Sequence, residues 1–162
     1  MIPTPIKRSK NLVPLSKDHH EGLLVVWKIR QGLGSEVSNR RIADFVLHAF
    51  EKHLEPHFIE EEKLLFPKLP GNDELLIKAV SQHATLRQMV VQLSSNAEPT
   101  TTQLESFGNL LEEHIRFEER ELFRHIEQEV PAGEMEIIGA ELQAIHSKQQ
   151  PLYWEDEFWV RK

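Results

Sequence analysis

The stretch FEKHLEPHFIEEEKLLF, residues 50–66, returns 57 residues later as FGNLLEEHIRFEERELF, residues 107–123. Phe50/Phe107, Leu54/Leu111, Glu55/Glu112, His57/His114, Glu61/Glu118, Glu62/Glu119, Leu65/Leu122 and Phe66/Phe123 are identical, and Lys63/Arg120 keeps its charge. A further histidine stands upstream of each copy: His20 with Leu23, Val26 and Trp27, against His83 with Leu86, Met89 and Val90. The order is therefore H…HxxxE…H…HxxxE, two helix pairs with one set of donors each. Residues four apart share a helix face, so His57 points with Glu61, and His114 with Glu118. Each pair extends an apolar stripe: Ile42, Phe45, Val46 and Phe50 in the first copy, Leu104, Phe107, Leu110 and Leu111 in the second. Such a stripe faces the core and carries the pair inward.

The elements follow from periodicity and punctuation. Ile42, Phe45, Val46, Ala49, Phe50, His53, His57 and Glu61 fall at spacings of 3 and 4, as a helix requires. Ser16 caps a first helix, with Asp18 and Glu21 suiting its dipole, and Gly32 and Gly34 end it. A second helix runs from Ser38 or Asn39 to about Leu65, and Pro56 should kink it. Asn72 or Asp73 opens a third, reaching about Ser95; a fourth follows the Pro99 linker and runs to about Val130. A shorter helix spans about 134–147. The tail PLYWEDEFWV mixes aromatics with acids, to pack over the bundle or against a partner, which makes it a route to a homo-oligomer. Short connections favour antiparallel neighbours. The expected fold is all-α, an up-down-up-down four-helix bundle with a short C-terminal helix and tail. It divides into an extended N-terminal arm (1–14), the bundle (15–130), and the C-terminal helix with its aromatic tail (131–162).

Composition narrows the chemistry. At 162 residues the chain can bury a sizeable core. A net charge of -7 argues against nucleic acid and gives no support for an anionic membrane surface. With no cysteine, disulfides, thiolate catalysis and Cys-based metal sites are excluded. The longest apolar run, residues 23–27, is far short of the roughly 20 residues that span a bilayer. The first residues hold no continuous hydrophobic region of a signal peptide, and the expected location is cytoplasmic.

Two buried carboxylates need compensating positive charge, and no Lys or Arg recurs on the inner faces. A metal ion supplies it. Four histidines and two bridging glutamates would make eight bonds, against about twelve for two octahedral ions, leaving positions for water or a small ligand. Imidazole plus carboxylate with open positions suits non-heme iron, with manganese or zinc behind it. Of the adjacent pair His19 and His20, about 100° apart on a helix, one is expected to point inward; the match to His83–Leu86 favours His20 and leaves His19 as the alternative. His53, whose repeat partner is Leu110, reads as a core or supporting residue. Neither the Glu-x-x-His of ferritin-like carboxylate bundles nor the H-E-x-x-H of metalloproteases occurs.

On DHHEGL (18–23), LEPHFIEEEKLLFP (54–67), QHATL (82–86) and EEHIRFEERELF (112–123) the chain resembles the hemerythrin/HHE cation-binding family. The resemblance implies that His20, His57, His83 and His114 are terminal ligands of two iron ions and that Glu61 and Glu118 bridge them. It also implies a small diatomic ligand or peroxide as partner, bound or sensed at the open positions; the alternative is an enzyme decomposing peroxide or supplying iron for Fe–S cluster repair. The oxygen carriers of the family place a further histidine four residues from another on the third helix. At that spacing from His83 stand Ala79 and Arg87, which counts against reversible oxygen storage. Trp27 and Met89, past His20 and His83, are expected to wall the pocket.

Overall fold

The computed structural model describes residues 8–160, and among them no strand forms. Helix α1 is Val13–Leu33. Helix α2 (39–65) joins Asn39–Ala49 and Glu55–Glu60 through a π-helical turn, Phe50–Leu54, and ends in another, Glu61–Leu65. Helix α3 is Glu74–Ser95. Helix α4 (101–129) joins Thr101–Phe117 to Phe123–Glu129 through the π turn Glu118–Leu122. Helix α5 is Ala132–His146. The four long helices make the expected bundle, with α5 and the tail added to it.

Caps explain most boundaries. The Ser38 hydroxyl accepts from the Arg41 N–H, and the Asp73 carboxylate accepts from Leu75 and Leu76. Thr100 and Gln103 form a reciprocal capping box. At α1 the expected start at Ser16 is corrected. The helix begins at Val13, with Pro14 in its first turn, where the missing N–H is no loss. The extended arm expected over 1–14 lies outside the described residues as far as residue 7. Beyond it, Arg8 is anchored on Glu119 and Glu127, and Leu12 and Leu15 are fully buried.

Pro56 is accommodated by widening rather than by a lost bond left open. Ahead of it the Glu55 N–H reaches back five residues to the Phe50 carbonyl. The corresponding stretch of the second copy, 107–111, stays α-helical, with Glu113 where the first copy has Pro56. The other two π turns are a matched pair: Phe66 N–H bonds to the Glu61 carbonyl, and Phe123 N–H to that of Glu118.

The core has two apolar clusters. One gathers Val26, Ile29, Phe45, Phe58, Leu86 and Phe107, and the tail residue Phe158 closes on it. The other holds Leu12, Leu65, Phe66, Leu76, Phe123 and, from α5, Leu142. Between them lies a layer of buried polar groups: Asp18, His19, His53, His57, Glu61, Gln82, His83, His114 and Glu118. The tail packs its aromatics around Phe45, with ring centroids 5.6 Å to Phe158 and 5.3 Å to Trp159.

Candidate metal centre

His57 and Glu61 from α2, and His114 and Glu118 from α4, meet at the middle of the bundle, with both carboxylates wholly buried. α3 contributes His83. From α1 comes His19, 3% exposed, whereas His20 is on the solvent face. This corrects the choice of His20. The buried residues of α1 include Leu15, Asp18, His19, Gly22, Val25, Val26 and Ile29, at spacings of 3 and 4. His20, Leu24 and Trp27 share the opposite stripe, and Trp27 is 48% exposed, so it does not wall the site. Met89 is partly buried against the apolar cluster around Phe45. The two upstream histidines match in a register one residue away from the first reading: Asp18-His19 with Val26 and Ile29 against Gln82-His83 with Val90 and Leu93. A polar acceptor directly ahead of each inward histidine was the signal that could have found it.

All four imidazoles present Nε2 to the middle. His57 Nε2 is 3.4 Å and His83 Nε2 3.2 Å from Glu61 Oε1. His114 Nε2 is 3.3 Å and His19 Nε2 2.9 Å from Glu118 Oε1. The donors form two groups of four, His19–His57–Glu61–Glu118 and Glu61–His83–His114–Glu118, each with its ligand atoms within 4.8 Å of one another. Both carboxylates belong to both groups.

Every Nδ1 is held from behind. His19 donates to Glu119 (2.7 Å), His57 to Asp18 (3.0 Å), His83 to Glu62 (2.8 Å) and His114 to the Gln82 carbonyl oxygen (2.6 Å). Ionised carboxylates only accept, so Nδ1 carries the hydrogen and Nε2 is left to bind. Guanidinium groups back two of these acceptors: Arg8 on Glu119, and Arg87 on Glu62 and Glu55. Arg87 stands four residues past His83. The duplicated phenylalanines close the faces. Phe66 stacks on His83 at 5.6 Å and Phe123 on His19 at 5.2 Å, while Phe58 lies 4.0 Å from His83. The π turns bring this about, since a five-residue turn sets Phe66 and Phe123 above the glutamates where an α-helix would set Leu65 and Leu122.

The electrostatics ask for positive charge. Both oxygens of Glu61, Oε2 of Glu118 and Nε2 of His57 are buried with no hydrogen-bond partner, a costly arrangement unless a cation meets them. His83 Nε2 and His114 Nε2 are 3.1 Å apart; with both Nδ1 atoms protonated, either a proton or a metal must relieve the facing lone pairs. In the metal-free protein, protons do this. Burial alone would lower His83, but the Glu61 and Glu62 carboxylates beside it outweigh this and raise it to about 9. Burial likewise disfavours charge on His19, but Glu118 and Glu119 raise it. Burial, then the charge of Glu118, pushes Glu61 well above the carboxylate range. At Glu118 burial is outweighed by His114 and His19, which hold it well below. A divalent ion would take the place of these protons, and the donor set fits it: nitrogen and carboxylate ligands, converging, buried, each oriented from behind.

The family model of the hemerythrin HHE cation-binding domain matches residues 12–126, and the chain belongs to that family. No curated protein and no solved structure matched the chain. α5 and the tail lie beyond the matched residues.

Proposed function

We propose that the chain is a non-heme di-iron protein. His19 and His57 hold one ion, His83 and His114 the other, and Glu61 and Glu118 bridge them. The single observation behind this reading is that the two four-residue groups share both carboxylates, which is the arrangement two bridged ions need. Imidazole with carboxylate and open positions suits iron ahead of manganese or zinc. Eight protein bonds to two ions leave exchangeable positions, and their ligand is small: dioxygen, nitric oxide or peroxide, bound or sensed. His83 has Arg87 rather than another imidazole one turn on, and that guanidinium is engaged by Glu55 and Glu62. The reading therefore favours nitric oxide or azide binding and irreversible oxidation over reversible oxygen storage.

Metal analysis of protein from iron-supplied cells should find about two irons per chain, with visible ligand-to-metal charge-transfer bands. Glu61→Ala should lose the pair, since one bridge serves both ions. Two irons and an unchanged spectrum in Glu61→Ala would defeat the bridging assignment. Oxygen released intact under vacuum from the reduced, oxygen-exposed protein would restore a carrier role.

A further inference from the structure

Behind His57 the polar layer does not end at Asp18. His146, from α5, sets its Nε2 3.4 Å from Asp18 Oδ2 and 3.2 Å from Glu60 Oε2. Asp18 and Glu60 together with the His57 ring also bring ligand atoms within 4.8 Å of one another. Two solvent clefts converge here. One of about 470 Å3 is lined by Asp18, His53 and His146, and one of about 500 Å3 by His53, Glu60 and Gln149.

Histidine–carboxylate contacts in this molecule run from close hydrogen-bonded pairs to wider ones. Where an imidazole is simply held by a carboxylate, the atoms are close: 2.7 Å for His19–Glu119, 2.8 Å for His83–Glu62, 2.6 Å for His125–Asp73 and 3.0 Å for His57–Asp18. Inside the buried centre the pairs run from 2.9 Å for His19–Glu118 through 3.2–3.4 Å to 4.0 Å for His19–Glu61 and His83–Glu118. His146 belongs with the wider ones. Donors bound to one ion at about 2.0–2.2 Å are separated by roughly 3 Å or more, whereas charge-assisted hydrogen bonds draw in to about 2.7–2.9 Å.

We propose that Asp18, Glu60 and His146 form an outer site for a single divalent cation, through which metal is taken up from the cleft toward the buried centre. The uptake role rests on the di-iron reading above; the outer site itself does not. Two carboxylate oxygens and one imidazole nitrogen suit a borderline divalent ion such as Mn2+, Fe2+ or Zn2+, with water completing its shell from the cleft. Asp18 touches both places through one atom: Oδ2 accepts from His57 Nδ1 and also faces His146 Nε2. A buried centre needs such a path, and His146 is supplied by a segment outside the matched family domain.

The test is Mn2+ titration of the iron-loaded full-length protein, followed by loss of the free Mn2+ EPR signal. Wild type should bind one Mn2+ per chain, and His146→Ala should weaken it by at least about tenfold while retaining iron. Stopped-flow loading of the metal-free protein with Fe2+ should be slowed to a similar degree in His146→Ala with the final iron content unchanged. Glu60→Gln should behave alike, and serves if His146→Ala disturbs folding by circular dichroism. Absence of Mn2+ binding to wild type, or equal loading rates, overturns the proposal. The two readings fail separately. Mn2+ binding lost in His146→Ala, with two irons and an unchanged spectrum in Glu61→Ala, leaves the outer site without the bridged centre. Two irons lost in Glu61→Ala, with no effect of His146→Ala, leaves the centre alone.

Discussion

The two ends of the centre are built alike and finished differently. At the His83/His114 end, Gln82 and Glu62 hold the imidazoles, Arg87 braces Glu62 from the same helix as His83, and Phe58 and Phe66 cover the ring. At the His19/His57 end, Asp18 and Glu119 hold them, Arg8 braces Glu119 from the chain ahead of α1, and Phe123 covers the ring. The repeat thus extends three layers outward, from imidazole to acceptor to guanidinium. It breaks at one atom type behind the HxxxE histidine, a carboxylate at one end and an amide at the other. The Asp18 end opens on a cleft. A carboxylate makes its imidazole a stronger donor than an amide does, so the more basic end is also the end beside that cleft.

The largest effect should come from breaking the match at its innermost layer. His19→Ala should lose iron from one end as His83→Ala does from the other, whereas His20→Ala should retain both ions. Iron content per chain after gel filtration decides it. Equal loss in His19→Ala and His20→Ala would mean that α1 is misregistered around its axis.

Exchanging the broken layer sharpens the comparison. Asp18→Asn keeps an acceptor for His57 but removes its charge, and should weaken metal binding about tenfold, at the low end of what supporting residues are worth. Gln82→Glu should strengthen the His114 end by a like factor. Chelator competition on the two variants measures both; identical release curves would show that the amide and the carboxylate are equivalent here.

A pH effect of intermediate size distinguishes the ends in the metal-free protein. Burial would raise Glu62, but its bonds to His83 and Arg87 depress it from 4.5 to about 2; His83 is raised from 6.5 to about 9. The Glu62 contribution is present above pH 4.5 and is lost as pH falls through about 2. The His83 contribution is full below pH 6.5 and is lost as pH rises through about 9. Arg87→Met removes a cation from Glu62 and should flatten the acid limb more than the alkaline one. Melting temperature against pH tests it, and unchanged limbs in the variant would detach Arg87 from the His83 end.

Much of this was legible in the chain. The duplicated HxxxE named four of the six inner residues, and Ser38, Asp73, Pro99 and Gly34 marked the helix ends. The upstream histidine was misread because Leu23 and Val26 mimic the Leu86/Met89 spacing; apolar matches one residue out of phase look alike when Leu24 and Trp27 are apolar but exposed. The role of Phe66 and Phe123 was hidden by the π turns, since a fixed helical period places the wrong residue above each glutamate. His146 and Arg8 could not be read at all, because no local pattern ties them to Asp18 or Glu119, more than a hundred residues away.

The smallest effect concerns a place where the matched helices differ in bulk near the centre. In the corrected register Gly22 of α1 corresponds to Leu86 of α3. A Cβ on Gly22 would come within 2.7 Å of Ile115 Cδ1, so α1 and α4 approach closely one turn from His19. Alanine at a helical glycine gains about 1 kcal/mol in propensity, while overpacking costs about 1–3 kcal/mol. The atom in the way is the end of a flexible side chain, which favours the low end of that cost. Gly22→Ala should therefore change stability by no more than about 1 kcal/mol, a shift of roughly 2–4 °C at this size. Leu86→Ala, which empties a fully buried site on the other helix, should cost about 2–5 kcal/mol. Thermal melts of both metal-free variants, with iron content after loading, make the comparison. If Gly22→Ala melts normally yet loses iron, the close approach of α1 to α4 sets the distance from His19 to Glu118, and the glycine belongs to the site rather than to the packing.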